Sequence, residues 1–145
     1  MINRMRGVLT ALAGLLLVAV ASADTVSDLR PAIGEAARQH GVDPVLMEAI
    51  IRHESGHATS RAARTKNNLA GIMGRRGQRT YASKEECIRH LGSILAKYKA
   101  RGRTTVPQIG RIYCQSRAPW AHKVSLFMQQ IRSGRWGSIQ AYESN

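Results

Sequence analysis

Hydrophobic positions recur at helical spacing through most of this chain, and almost nowhere do they alternate. Val26 to His40 places Leu29, Ile33, Ala36 and Ala37 on one face, with Gly41 as a stop. Asp43 and Pro44 supply an N-cap and a first-turn proline. They predict a second helix carrying Val45, Leu46, Met47, Ala49, Ile50 and Ile51, which runs to about Glu54 before Ser55-Gly56 weakens it. Residues 55–80, rich in Gly, Arg, Asn and Ser, read as irregular chain with a short hairpin around Gly74 to Gly77. Ser83 and Glu86 form a capping box for a helix to about Tyr98, with Ile88, Leu91, Ile94, Leu95 and Tyr98 inward. Thr105 to Tyr113 predicts a short helix opened by Pro107. Trp120 to Arg132 predicts a last one with Val124, Phe127, Met128 and Ile131 facing the core. The fold class is therefore mainly α: a single domain with an irregular loop or short hairpin region after the second helix, and no internal repeats.

The first residues stand apart from this pattern. Arg4 and Arg6 precede an apolar run from Val8 to Ala21, and Ala21-Ser22-Ala23 is a small-x-small cleavage pattern, so residues 1–23 are expected to be a signal peptide removed near Ala23. That address is periplasmic or extracellular. It makes the even pair Cys87 and Cys114 a candidate disulfide, whose loop closure would contribute about 3.5 kcal/mol. The formal charge is +13, of which Arg4 and Arg6 supply two, leaving +11 on the mature chain. An excess of that size predicts a polyanionic partner, and for an exported protein this is an anionic cell-wall surface rather than nucleic acid, for which no stacking or groove-binding motif is present. A monomer is expected.

Chemistry concentrates in His53-Glu54-Ser55-Gly56-His57. As H-E-x-x-H it has the spacing of a zinc-protease helix, with two histidines one turn apart and a glutamate base. The metzincin extension is missing, since Ser60 and Ala63 stand where a glycine and a third ligand would fall, and a gluzincin third ligand could come only from Glu85 or Glu86, which the capping box claims. The other signal is positional. At about 100° per residue, Glu54 falls within about 20° of Met47, inside the apolar face between Ile50 and Ile51. Burial of a carboxyl in apolar surroundings raises its pKa and suits it to donate a proton. Alternatively, Glu54 swings out to pair with Arg52 or Arg61.

Glu54-Ser55-Gly56, then Ser60, Ala63 and Asn67-Asn68-Leu69-Ala70-Gly71-Ile72, resembles the glucosaminidase family of peptidoglycan hydrolases (glycoside hydrolase family 73). Tyr81-Ala82-Ser83 with Glu86-Cys87-Ile88 is similar to the segment that opens a core helix in that family. Tyr113-Cys114 followed by Trp120-Ala121-His122-Lys123-Val124 is similar to its closing motif. The resemblance covers roughly residues 42 to 131. It implies a lysozyme-like fold, no cofactor, and peptidoglycan glycan strands as substrate. It divides the chain into a leader at 1–23, an N-terminal helix at 24–41, a lysozyme-like domain at 42–133 and a C-terminal tail at 134–145. By position it makes Glu54 the general acid, Tyr113 a groove tyrosine near the scissile bond, and Asn68 a loop-shaping residue. Tyr81 and Trp120 become candidate substrate contacts, although a capping anchor and a core aromatic are the plainer roles for them. His90 and His122 read as residues of solvated helix faces.

One departure stands out. The interval where the family carries a second carboxylate is here Met73-Gly74-Arg75-Arg76-Gly77-Gln78-Arg79-Thr80, which holds no acid. The two-carboxylate geometries of glycoside hydrolysis are then not supported. Three outcomes stay open: an endo-β-N-acetylglucosaminidase assisted by the substrate's own N-acetyl group, a lytic transglycosylase in which a muramoyl 6-hydroxyl attacks, and a non-catalytic wall-binding module.

Overall fold

The computed structural model describes residues 24–114 and 119–143; the leader expected over 1–23 lies outside them. Among the described residues six helices follow in order: α1 (Arg30–His40), α2 (Pro44–Ser55), α3 (Arg61–Lys66), α4 (Lys84–Ala100), α5 (Val106–Tyr113) and α6 (Pro119–Arg132). An antiparallel hairpin, β1 (Met73–Gly74) and β2 (Gly77–Gln78), lies between α3 and α4, pairing Met73 with Gln78 and Gly74 with Gly77. Single 3-10 turns occur at Ser27–Leu29 and Ile139–Tyr142.

Side-chain oxygens open four of the helices by taking up backbone N–H groups that lack a helical partner. Asp43 Oδ1 accepts from Val45 N at 2.8 Å, and Ser60 Oγ accepts from Ala63 N at 3.2 Å. Thr105 and Gln108 complete a reciprocal capping box. The box expected at Ser83 is only half formed: Ser83 Oγ accepts from Glu86 N, but the Glu86 carboxylate accepts from Ala82 N at 2.7 Å. The first helix starts at Arg30, later than its apolar spacing indicates, because the chain from Ser27 to Leu29 is wound as a 3-10 turn. Helix α3 lies within the stretch that reads as irregular on sequence; six residues are too few to show a period.

Helix α2 is the centre of the packing. Its Met47, Ala49, Ile50 and Ile51 are fully buried, and the core around them includes Ile33 and Ala36 of α1, Ile88 and Leu91 of α4, and Val124 and Ile131 of α6. Removing a side chain the size of Ile50 from water is worth about 1.5–3 kcal/mol. Helices α1 and α6 both pack against α2, and α4 packs on α1.

The opposite side of α2 buries charge. Glu48 is fully buried, and its carboxylate accepts from Arg30 Nε at 2.9 Å, Arg30 Nη2 at 3.1 Å, Arg52 Nε at 2.9 Å and the Tyr142 hydroxyl. Arg52 reaches on to Asp24 at 2.5 Å and Ser27 at 3.1 Å, and its guanidinium lies 3.9 Å from the centre of the Trp136 ring. Arg30 donates to the carbonyls of Trp136 and Ser138, both at 3.1 Å. Two arginines and two carboxylates thus form an electrically balanced cluster, and every buried side-chain polar atom among the described residues has a partner. Burial raises the Asp24 carboxyl, but hydrogen bonds from Arg52 and Ser27 outweigh it and hold the group below its ordinary value. The cluster also decides where the domain ends. The segment set apart on sequence as a tail packs on α1, with Tyr142 only 5% exposed, and the N-terminal helix is part of the same body.

The Cys87–Cys114 disulfide expected on compartment grounds is absent from the structure. Cys87 is buried in the first turn of α4, where its sulfur accepts the Leu69 N–H at 3.3 Å, and burial pushes the thiol pKa up. Its sulfur therefore serves the loop before α4 as a packed, protonated acceptor.

Glu48→Ala is expected to cost about 3–5 kcal/mol in urea unfolding, because it strands two buried guanidinium groups. Arg132→Ala, which breaks the exposed 3.2 Å pair with Asp43, should cost less than about 1 kcal/mol. The cluster also sets an acid sensitivity. His57 Nδ1 lies 3.0 Å from Arg52 Nη1, and since a guanidinium only donates, the imidazole is neutral there. Burial, then the Arg52 charge, lowers the His57 pKa; burial, then Arg79 and Lys97, lowers that of His90. Groups depressed on folding contribute stability that is full above their unfolded pKa, 6.5 here, and that is lost as pH falls through their lowered values. Urea unfolding between pH 7 and pH 5 should show this decline, and His57→Gln should make it shallower.

Candidate active site

Glu54 occupies the last turn of α2, half-buried, at the junction of three elements. From α6, the buried Trp120 donates its indole N–H to Glu54 Oε1 at 2.6 Å. From below, the loop at Gly71 approaches so closely that a Cβ on Gly71 would lie 2.8 Å from Glu54 Oε2. Gly71 also has φ +64°, a conformation that resists any side chain. One carboxylate oxygen is thus held by a fixed donor and the other rests above a glycine.

The loop is shaped by its two asparagines. Asn67 ends α3 with φ 50° and donates to the Tyr81 carbonyl at 3.1 Å. Asn68 is 1% exposed; its Oδ1 accepts from Ile72 N at 3.0 Å, and its Nδ2 donates to the carbonyls of Ile72 at 2.8 Å and Arg79 at 2.9 Å. This closes the Leu69–Ile72 turn and ties it to the far side of the hairpin. Tyr113 finishes the arrangement from α5 by donating its hydroxyl to the Ala70 carbonyl at 2.5 Å, with its ring 5.4 Å from that of Trp120. Burial, and after it the Glu54 charge, push the Tyr113 pKa well up, so this phenol is neutral and its proton is committed to the loop.

Glu54, Tyr113, Asn68 and Trp120 therefore come together, but not all in the roles the sequence offers. Trp120 is 3% exposed and presents no free face for sugar stacking; it orients the acid. Tyr81 is 6% exposed and hydrogen bonds His90 Nδ1 at 2.7 Å, with its pKa pushed up to about 12 by burial, so it anchors the start of α4 and draws His90 partly inward. His122 stays exposed. Among the described residues no other carboxylate is hydrogen-bonded to Glu54: Glu48 belongs to the buried cluster and Glu86 caps α4. Beside Gly71 opens a groove of about 350 Å³, walled by Gly71 to Met73, Tyr113, the α4 residues Ile94, Lys97 and Tyr98, and Arg101 at the end of that helix.

The zinc-protease spacing is broken by the backbone. Helix α2 ends at Ser55, and Gly56, His57 and Ala58 all have positive φ, at 55°, 57° and 68°. His57 consequently leaves the helical phase of His53. It packs against Phe127 and Trp136 beside Arg52, while His53 meets the edge of Trp120 at 6.3 Å. Among the described residues no group of three or more His, Cys, Asp or Glu side chains is placed to hold a metal ion.

A family model described as mannosyl-glycoprotein endo-beta-N-acetylglucosaminidase matches residues 30–142. The match takes in α1 and the C-terminal 3-10 turn as well as the site, in keeping with a helical, lysozyme-like body that includes both. No significant match to a curated protein is found.

Gly71→Ala should destabilise the fold by about 1–2 kcal/mol in denaturant unfolding from its left-handed backbone alone. A crystal structure of this variant should show the Glu54 carboxylate displaced from Trp120 Nε1.

Proposed function

The chain belongs to the glucosaminidase family, a family of glycan-cleaving hydrolases, and we propose that it cuts the glycan strand of peptidoglycan with Glu54 as the proton donor. The observation that carries this reading is the pairing of Glu54 with the Trp120 indole N–H at 2.6 Å, against Gly71, a residue that also lines an open groove. With Oε1 held by Trp120, Oε2 is the oxygen that carries the proton toward a glycosidic oxygen. As the bond to the leaving sugar breaks, the electron pair goes to that oxygen and the proton from Glu54 neutralises it. The anomeric carbon is left electron-poor.

Residues 73–80, the interval in which the family carries a second carboxylate, hold no acid, so the substrate's own N-acetyl oxygen is the group that closes on the anomeric carbon. Water then opens the ring so formed, and the Glu54 carboxylate takes the water's proton, restoring the acid. Tyr113, neutral and bound to Ala70, acts by holding the Gly71 loop against Glu54. The same single acid would serve a lytic transglycosylase, in which the muramoyl 6-hydroxyl replaces water. The closer correspondence of Asn67-Asn68 and Tyr113 to the glucosaminidase motifs favours hydrolysis. The setting proposed for this chemistry is the periplasm or the cell exterior, supported by the leader pattern at the start of the chain.

Glu54→Gln is expected to leave less than about a tenth of the release of soluble fragments from wall sacculi, a barrier change above about 1.4 kcal/mol, with the thermal midpoint unchanged. Trp120→Phe, which keeps an aromatic side chain but loses the indole N–H, should lower kcat more than it raises KM. Mass spectrometry of the digest should show reducing N-acetylglucosamine ends and uncut peptide stems. Anhydro-muramoyl ends would instead identify the transglycosylase, cut peptides would refute glycan cleavage, and the absence of any product would leave a wall-binding module.

A further inference from the structure

The groove beside Gly71 carries more than shape. Lys97 lies in the last turn of α4 and Arg101, four residues on, caps the end of that helix; both line the groove. Both are exposed, and neither forms an ion pair with a carboxylate among the described residues, although Arg30, Arg52 and Arg132 all do. Their apolar neighbours are Ile94 and Met73, the latter 65% exposed, and the half-buried ring of Tyr98, on whose hydroxyl the Arg101 charge acts. The groove walls contain no acid. The helix C-terminus favours cations in this turn, which accounts for basic residues there in general, Lys99 included, but not for two of them walling a cleft that is also lined by Gly71, the glycine against the Glu54 carboxylate.

Resting on the glycan-cleaving reading, we propose that Lys97 and Arg101 are specificity-determining residues that bind a carboxylate carried on the 3-O-lactyl substituent of a muramoyl sugar while its neighbouring glycosidic bond lies at Glu54. A β-1,4-linked glycan of N-acetylglucosamine alone presents the same backbone to Ile94, Met73 and Tyr98 but offers these cations nothing. Wall glycan offers a carboxylate at every second sugar, either on the lactyl group of a strand stripped of peptides or along an attached peptide stem. The cation pair thus selects wall glycan over uncharged chitin-type glycan.

Calorimetric titration of the Glu54→Gln chain, which does not consume its ligand, tests the assignment with three probes: soluble peptide-bearing wall glycan, amidase-stripped wall glycan, and an N-acetylglucosamine hexamer. At low salt at least one anionic glycan should bind about tenfold or more tighter than the hexamer, and added salt should shrink the difference. The Lys97→Gln/Arg101→Gln double variant, with an unchanged thermal midpoint, should erase the preference while leaving hexamer binding as it was. Tight binding of the stripped strand identifies the lactyl carboxylate as the ligand; tight binding of the peptide-bearing strand alone identifies the stem. Equal affinity for all three probes, or a preference that survives the double variant, overturns the inference and leaves glycan cleavage by the wild-type chain untouched. Failure to bind any of the three overturns both.

Discussion

The fold depends on a single buried carboxylate. Glu48 sits in the middle of α2 with no exposure, and Arg30 of α1, Arg52 of α2 and Tyr142 of the C-terminal turn all donate to it. Taking such charges out of water costs several kcal/mol per ion unless their hydrogen bonds are met in full. Here they are met by groups brought from both ends of the chain, Asp24 and Ser27 on one side and the Trp136 and Ser138 carbonyls on the other. The cluster is therefore directional where the apolar core is not: it admits one rotation of α2 about its axis. Glu54 lies about 120° around the helix from Glu48, so fixing one aims the other toward Trp120 and the Gly71 loop.

What the sequence made legible follows from how local each determinant is. Asp43-Pro44, Ser83, Thr105 and the hydrophobic spacing of α4 and α6 act within a turn or two of themselves, and the helices appear where those signals lie. The hairpin at Gly74 and Gly77 is equally local. Helix α3 is hidden because its only clear mark is the cap at Ser60. The ionic cluster is hidden for a different reason: Glu48 reads as one polar residue in an apolar stretch, and its partners Arg30 and Tyr142 lie 18 and 94 positions away. Nothing periodic announces that contact. The cysteines mislead in the same manner, since an even count behind a leader-like pattern speaks for a bridge, while the structure spends Cys87 on the Leu69 amide.

The active site shows the same division. Glu54 was visible as a carboxylate on an apolar face, and the Asn67–Ile72 motif as a unit. That Trp120 would face Glu54 with its N–H rather than a sugar with its ring depends on a contact spanning 66 positions, between the end of α2 and the start of α6. Once α2 is placed, the geometry follows in order. Tyr113 holds Ala70, Asn68 holds Ile72, and Gly71 between them has room for a carboxylate oxygen only because it has no side chain.

Charge connects the two halves of the molecule. The buried cluster is balanced, the Asp43–Arg132 pair cancels itself, and Glu86 is occupied in capping α4, so the excess of positive charge falls on the surface and in the groove. A surface of this kind raises the encounter rate with a polyanion but does not by itself discriminate among polyanions. Discrimination needs cations held at a fixed distance from the reacting bond. Helix α4 supplies that fixity, because Cys87, Ile88, Leu91 and Leu95 lock one of its faces into the core while Lys97 and Arg101 project from the turn that walls the cleft. The packing that seats Glu54 and the packing that presents those cations are parts of one core.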